Sequence, residues 1–168
     1  MAKNKYCGTP ADYQPVSEDQ SRMVVMYGLK EIGDDKVEWY EIPFYKKQGK
    51  PSFEQAKAAI IADINERITA KIVGGMTFEG KPVWLSIENQ INFSQATAPT
   101  RLKIGEEEDG TPVYHEFDTK ASLKAFVDAC LAWKDECLES GRAEKEGIDW
   151  TPYEVALKPV TTETETAE

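Results

Sequence analysis

Apolar residues along the chain alternate in some stretches and recur every three to four positions in others. These two periods mark strands and helices respectively. The strongest helical pattern is Phe53, Ala56, Ile60, Ile61, Ile64, Ile68 and Ile72. It opens at Ser52-Phe53-Glu54-Gln55, where a Ser cap and a Gln three residues on can each satisfy a free backbone N–H. Gly74 and Gly75 stop it, because glycine takes the left-handed C-terminal turn cheaply. The spacing predicts a helix over 52–73, about 33 Å long. Upstream, Met23 to Tyr27 and Lys36 to Tyr45 read as strands joined at Gly33-Asp34-Asp35. The return strand carries Trp39 and Tyr40 on opposite faces. Both faces therefore need a cover, one by the long helix and the other by a partner chain. Pro43 marks an edge or a bulge.

Downstream, residues 76–85 form a tight hairpin, and Ser86 opens a short helix over Ile87 to Phe93. Arg101–Ile104 and Pro112–Phe117 make a third hairpin around the acidic tip 105–110. Asp118-Thr119 caps a last helix over about 119–145. Its stripe is Leu123, Phe126, Val127, Cys130, Leu131, Lys134, Cys137 and Leu138, with Trp133 to the side. The core is expected to include Ile60, Ile64, Ile68, Leu123, Val127 and Leu131. The order hairpin-helix, three times over, is an α+β fold with antiparallel pairing. We expect a single compact domain over 22–147, an extended arm over 1–21, and a C-terminal segment over 148–168 that is mobile when free. The arm carries Gly8, Pro10 and Pro15 and few aliphatics, yet Tyr6 and Tyr13 interrupt it. It reads either as a loose terminus or as an arm docking on a neighbouring subunit.

The succession Gly75-Met76-Thr77-Phe78-Glu79-Gly80-Lys81, Val83-Trp84-Leu85-Ser86 and Glu88-Asn89-Gln90-Ile91-Asn92-Phe93 behind a long helix resembles an uncharacterised domain family of phage tail and tail-fibre proteins. The resemblance covers about residues 52–147. It implies a virion component and carries over no catalytic residue.

Composition narrows the function. With 30 acidic against 20 basic residues, the net charge is −10. That disfavours a binder of nucleic acid, which needs cations to displace counterions, and an anionic membrane surface. No run of about 20 apolar residues appears. Met1 to Lys5 lack the apolar core of a signal peptide, so assembly in a host cytoplasm is expected. Cys7, Cys130 and Cys137 form no disulfide framework and read as free buried thiols. Cys130 and Cys137, seven apart on one helix, are too distant to bridge.

No phosphate loop is present, since Gly74-Gly75 follows a helix instead of preceding one. The single His115 has no Cys or His at ligand spacing, so no metal or cofactor is expected. It reads as a strand residue beside the solvated acidic tip. Consecutive acids at that tip point apart, unlike the alternating ligands of a calcium loop. Asn89, Gln90 and Asn92 either bond to the adjacent backbone or contact a partner strand.

The expectation is a non-enzymatic phage structural protein of a tail, tail fibre or head–tail connector. It would touch other virion proteins, as a homo-oligomer in the particle. The candidate contacts are Tyr6, Tyr13, Trp39, Tyr45, Trp84, Asn89, Gln90, Trp150 and Tyr153. A tail-fibre assembly helper is the alternative. A small hydrolase is a distant third, supported by His115 alone.

Overall fold

A computed structural model describes residues 5–158. Eight strands run as β1 (Lys5–Gly8), β2 (Val16–Glu18), β3 (Arg22–Gly33), β4 (Lys36–Tyr45), β5 (Met76–Phe78), β6 (Lys81–Val83), β7 (Thr100–Glu106) and β8 (Pro112–Phe117). The helices are α1 (Phe53–Gly74), α2 (Ile87–Gln95), α3 (Lys120–Glu146) and α4 (Thr151–Leu157). The fold is α+β, and the paired strands are antiparallel. Three hairpins, β3–β4, β5–β6 and β7–β8, are each followed by a helix.

Local chemistry sets most boundaries. At α1, the Ser52 N–H donates to Gln55 Oε1 at 2.9 Å and the Gln55 N–H to Ser52 Oγ at 3.2 Å. This reciprocal pair satisfies two donors that helix geometry leaves open. The Asn89 N–H finds Ser86 Oγ at 3.2 Å, and the Ser122 N–H finds Thr119 Oγ1 at 3.1 Å. Asp34 and Asp35 both have positive φ, as a two-residue hairpin turn requires.

The described residues divide into two compact units, one of residues 5–64 and 144–158, the other of 65–143. A single domain over 22–147 was the sequence expectation. The division differs because the N- and C-terminal segments build the first unit instead of flanking it.

In that first unit the sheet order is β1-β4-β3-β2. Residues 1–21 are expected as an arm outside the domain, but β1 pairs with β4 from Lys5↔Tyr40 to Gly8↔Val37. β2 pairs with β3 from Val16↔Val25 to Glu18↔Met23. Pro43 pairs with Val24 of β3 and lies past the last residue that β1 covers among the described residues, so its missing N–H removes no described β1–β4 bond. One sheet face buries Val24, Met26, Val37 and Trp39, with Tyr6 and Tyr13 packed against them. On the other, Tyr27 and Ile42 are buried, and the Tyr27 hydroxyl donates to the carboxylate of Asp63. The cover expected from a partner chain is therefore supplied by the chain's own N-terminal segment.

Much of the expected C-terminal mobile segment is also ordered here. Residues 151–157 form α4, which buries Tyr153 and Leu157. The part expected to be mobile beyond residue 158 lies outside the described residues.

In the second unit, Ile68, Ile72, Val83, Leu85, Phe93, Ile104, Phe117, Leu123 and Phe126 are buried. Of the expected α3 stripe, Leu123, Phe126, Cys130 and Cys137 are buried, and the remaining members are not. Cys130, Cys137 and Gly141 are buried, Val127 is half-buried, and Leu131 and Leu138 are exposed. Gly141 explains which side of the stripe is buried. A Cβ there would lie 2.6 Å from Ile68 Cγ1, so α3 approaches α1 at the glycine and turns its leucines outward.

Candidate interaction surface

The nine residues expected to touch partners separate into three groups. Trp39 and Tyr153 are buried, which corrects their assignment as contacts. Trp39 stacks on Tyr6 at 6.4 Å between ring centroids and meets Tyr13 edge-on at 6.3 Å. Its Nε1–H donates to Glu41 at 3.0 Å. The Tyr153 hydroxyl donates to the Met26 carbonyl at 2.6 Å and lies 3.3 Å from the Tyr13 hydroxyl. Burial raises the pKa of both phenols, most of all that of Tyr153. Trp150 packs edge-on against Phe53 at 6.3 Å, with the Lys57 ammonium 5.3 Å from its ring. Tyr6, Tyr13, Trp150 and Tyr153 thus seal the first unit internally.

Asn89 and Gln90 hold the exit of the second hairpin. Asn89 Nδ2 donates to the Trp84 carbonyl at 3.0 Å, and Gln90 Nε2 to the Leu85 carbonyl at 2.7 Å. Gln90 Oε1 also accepts from Lys134 at 3.4 Å. Their amides fix where the chain turns from β6 into α2. Of the nine, only Tyr45 and Trp84 keep a large exposed aromatic surface, and Trp84 is 41% exposed.

The surface that sequence reasoning missed lies on α2 and α3. Ile87 is 76% exposed and Ile91 49%, one turn apart on α2. On α3, Leu131 is 53% exposed. A recess of about 230 Å³ is lined by Leu85, Gln90, Phe93, Val127, Leu131 and Lys134, among others. The signal was present in the sequence. Ile87 and Ile91 share one face of a short helix whose opposite face carries Phe93. A second cleft of about 580 Å³ runs between the polar face of α2 and β7, with Trp84 in its lining.

Titratable chemistry is sparse at both sites. Burial pushes the Cys130 thiol up to about 11, which suppresses the reactive thiolate. Cys137 is buried as expected, whereas Cys7 is exposed because it sits on the outer edge strand. His115 is not beside solvent as the sequence suggests. Its ring lies 4.5 Å from that of Phe117 and 5.8 Å from that of Phe78. Its Nδ1 is buried without a hydrogen-bond partner among the described residues, and Nε2 lies 3.7 Å from Glu79. At the acidic tip, the Asp109 carboxylate accepts the Thr111 N–H at 2.9 Å. Among the described residues, no group of three His, Cys, Asp or Glu is placed to hold a metal ion. None of their helices is long and apolar enough to cross a membrane. Comparison with protein-family models, curated proteins and solved structures finds no match.

Proposed function

We propose that the chain is a structural component of a phage virion, in a tail, a tail fibre or the head–tail connector, and works through protein–protein contacts. The observation that carries this reading is the exposed apolar side chains of Ile87 and Ile91 on one face of α2 and of Leu131 on α3, the last in the lining of a recess. Leaving an aliphatic side chain in water forgoes about 1.5–3 kcal/mol of burial. Exposed apolar residues one turn apart on a helix mark a place where another protein supplies the cover. The resemblance of residues 52–147 to phage tail proteins supplies the context, and the −10 charge suits a free subunit kept soluble before assembly. Its partners are other virion proteins and further copies of itself, brought together in the host cytoplasm.

Mass spectrometry of purified particles tests the reading. Finding the protein at a fixed ratio to the tail proteins supports it. Finding it only in lysate, bound to unassembled fibres, would make it the assembly helper instead. The double variant Ile87→Asp, Ile91→Asp should keep its circular dichroism and be lost from particles. Normal incorporation of that variant would remove the surface from the argument.

A further inference from the structure

The cleft between α2 and β7 has a strand edge for one wall. β7 hydrogen-bonds to β8 along a single edge, from Thr100↔Phe117 to Glu106↔Pro112. On its other edge, among the described residues, one backbone bond forms, from the Trp84 N–H to the Ile104 carbonyl at 2.8 Å. Thr100 to Lys103 are therefore unpaired on that side, and the same stretch lines the cleft. A row of open N–H and C=O groups is a template for another strand. The facing wall is α2, whose Glu88, Asn92 and Gln95 line the cleft; Glu88 faces Lys103, and the two amide side chains hold no partner among the described residues.

We propose that this cleft takes an extended acidic segment of a partner protein as a third strand on β7. Backbone pairing supplies the affinity in this mode, and side chains at alternate positions supply the selectivity. Arg101 and Lys103 sit two apart and so share one face of β7. Their cross-strand partners Glu116 and Tyr114 are exposed, which makes this the outward face of the hairpin. Lys103 is already held by Glu106 at 2.6 Å. Arg101 lies 4.0 Å from Glu116 and 4.4 Å over the Tyr114 ring, so its guanidinium retains donors for an incoming carboxylate. A guest with acids at every second residue matches that spacing. The amides of Asn92 and Gln95 then meet its remaining polar groups. The inference rests on the structural reading above for the partner being a protein.

The test uses the full chain and a short synthetic peptide of alternating Thr and Glu, followed by titration calorimetry and hydrogen exchange. The amides within Thr100–Lys103 whose N–H points away from β8, every second residue, should gain protection. N-methylating one alternate set of peptide amides should weaken binding about tenfold and the other set less than about threefold, because one edge of the guest faces β7. Arg101→Gln should weaken binding and flatten its salt dependence. Equal effects of the two methylated sets, protection elsewhere on the chain, or no binding at millimolar peptide would overturn the proposal. Protection of the same amides by raising the protein's own concentration would assign the edge to a second copy and also overturn it. A protein that enters particles yet ignores the peptide loses this cleft and keeps its structural role. One that binds the peptide but is absent from particles does the reverse.

Discussion

Gly75→Ala should cost far more stability than Gly80→Ala, although the two glycines have nearly the same backbone angle. Their φ values are +83° and +76°. An L-residue with a Cβ is strained there by roughly 1–2 kcal/mol. At Gly80 that strain is the whole effect, because a Cβ would meet nothing within 4 Å. At Gly75 a Cβ would lie 1.7 Å from the Val83 carbonyl oxygen and 2.7 Å from its carbon. A backbone carbonyl has no rotamer to retreat into, so β6 must move bodily. Val83 pairs with Met76 and is fully buried, so moving it disturbs the core of the second unit. Overpacking of this kind adds about 1–3 kcal/mol. We expect a loss of roughly 3–5 kcal/mol at Gly75 against roughly 1–2 at Gly80. Urea unfolding of both variants, with the slope checked for constancy, measures the difference. Losses equal to within about half a kcal/mol would show that the close approach of α1 and β6 contributes nothing.

Deleting residues 1–21 should lower stability by about 5 kcal/mol, since it removes β1, β2 and the tyrosines that cover Trp39; an unchanged denaturation midpoint would return these residues to the status of an arm. Tyr27→Phe removes the donor to the buried Asp63 carboxylate and should cost roughly 1.5–3 kcal/mol, whereas a neutral result in the same assay would mean that Asp63's other contacts suffice. Burial raises the folded-state pKa of Tyr153 and Tyr13, so the folded chain keeps protons that the unfolded chain gives up. Their contribution is complete below about pH 10 and is lost as pH rises beyond it; Tyr153→Phe should blunt this alkaline loss of stability, and an identical pH profile would refute it.

What could be read from the sequence was local. The Ser52–Gln55 box, the Gly75 stop and the turn at Asp34-Asp35 are set by neighbours a few residues apart, and each forms as the residue types require. The first strands were missed because Lys5 finds its partner at Tyr40, far along the chain, and a short polar strand has no periodicity of its own. The α3 stripe was drawn too wide because two apolar rows overlap on that helix. The row with Phe126, Cys130 and Cys137 is buried beside Gly141, where the loss of a side chain lets Ile68 approach. Volume decided between the rows, and hydrophobicity alone favours the leucines. The candidate contacts erred in the same way. Trp39 and Tyr153 are large and aromatic, as partner anchors are, but their partners lie within the chain. Asp63 sits among isoleucines on the buried face of α1, and the distant Tyr27 hydroxyl that donates to it has no signal in the neighbouring sequence.

The division of the chain also fixes an order of events during synthesis. The second unit is a continuous stretch, 65–143, whose last residue emerges while the first unit still lacks its closing piece. Met26 waits 127 residues for the Tyr153 hydroxyl that binds its carbonyl. At ribosomal speeds that is roughly 6–25 s, long compared with hairpin or helix formation. Throughout that interval the β3–β4 hairpin presents Met26 and its neighbours without α4. The nascent chain therefore holds a finished unit downstream of an unfinished one, and the unfinished one is where a ribosome-associated chaperone would have something to cover.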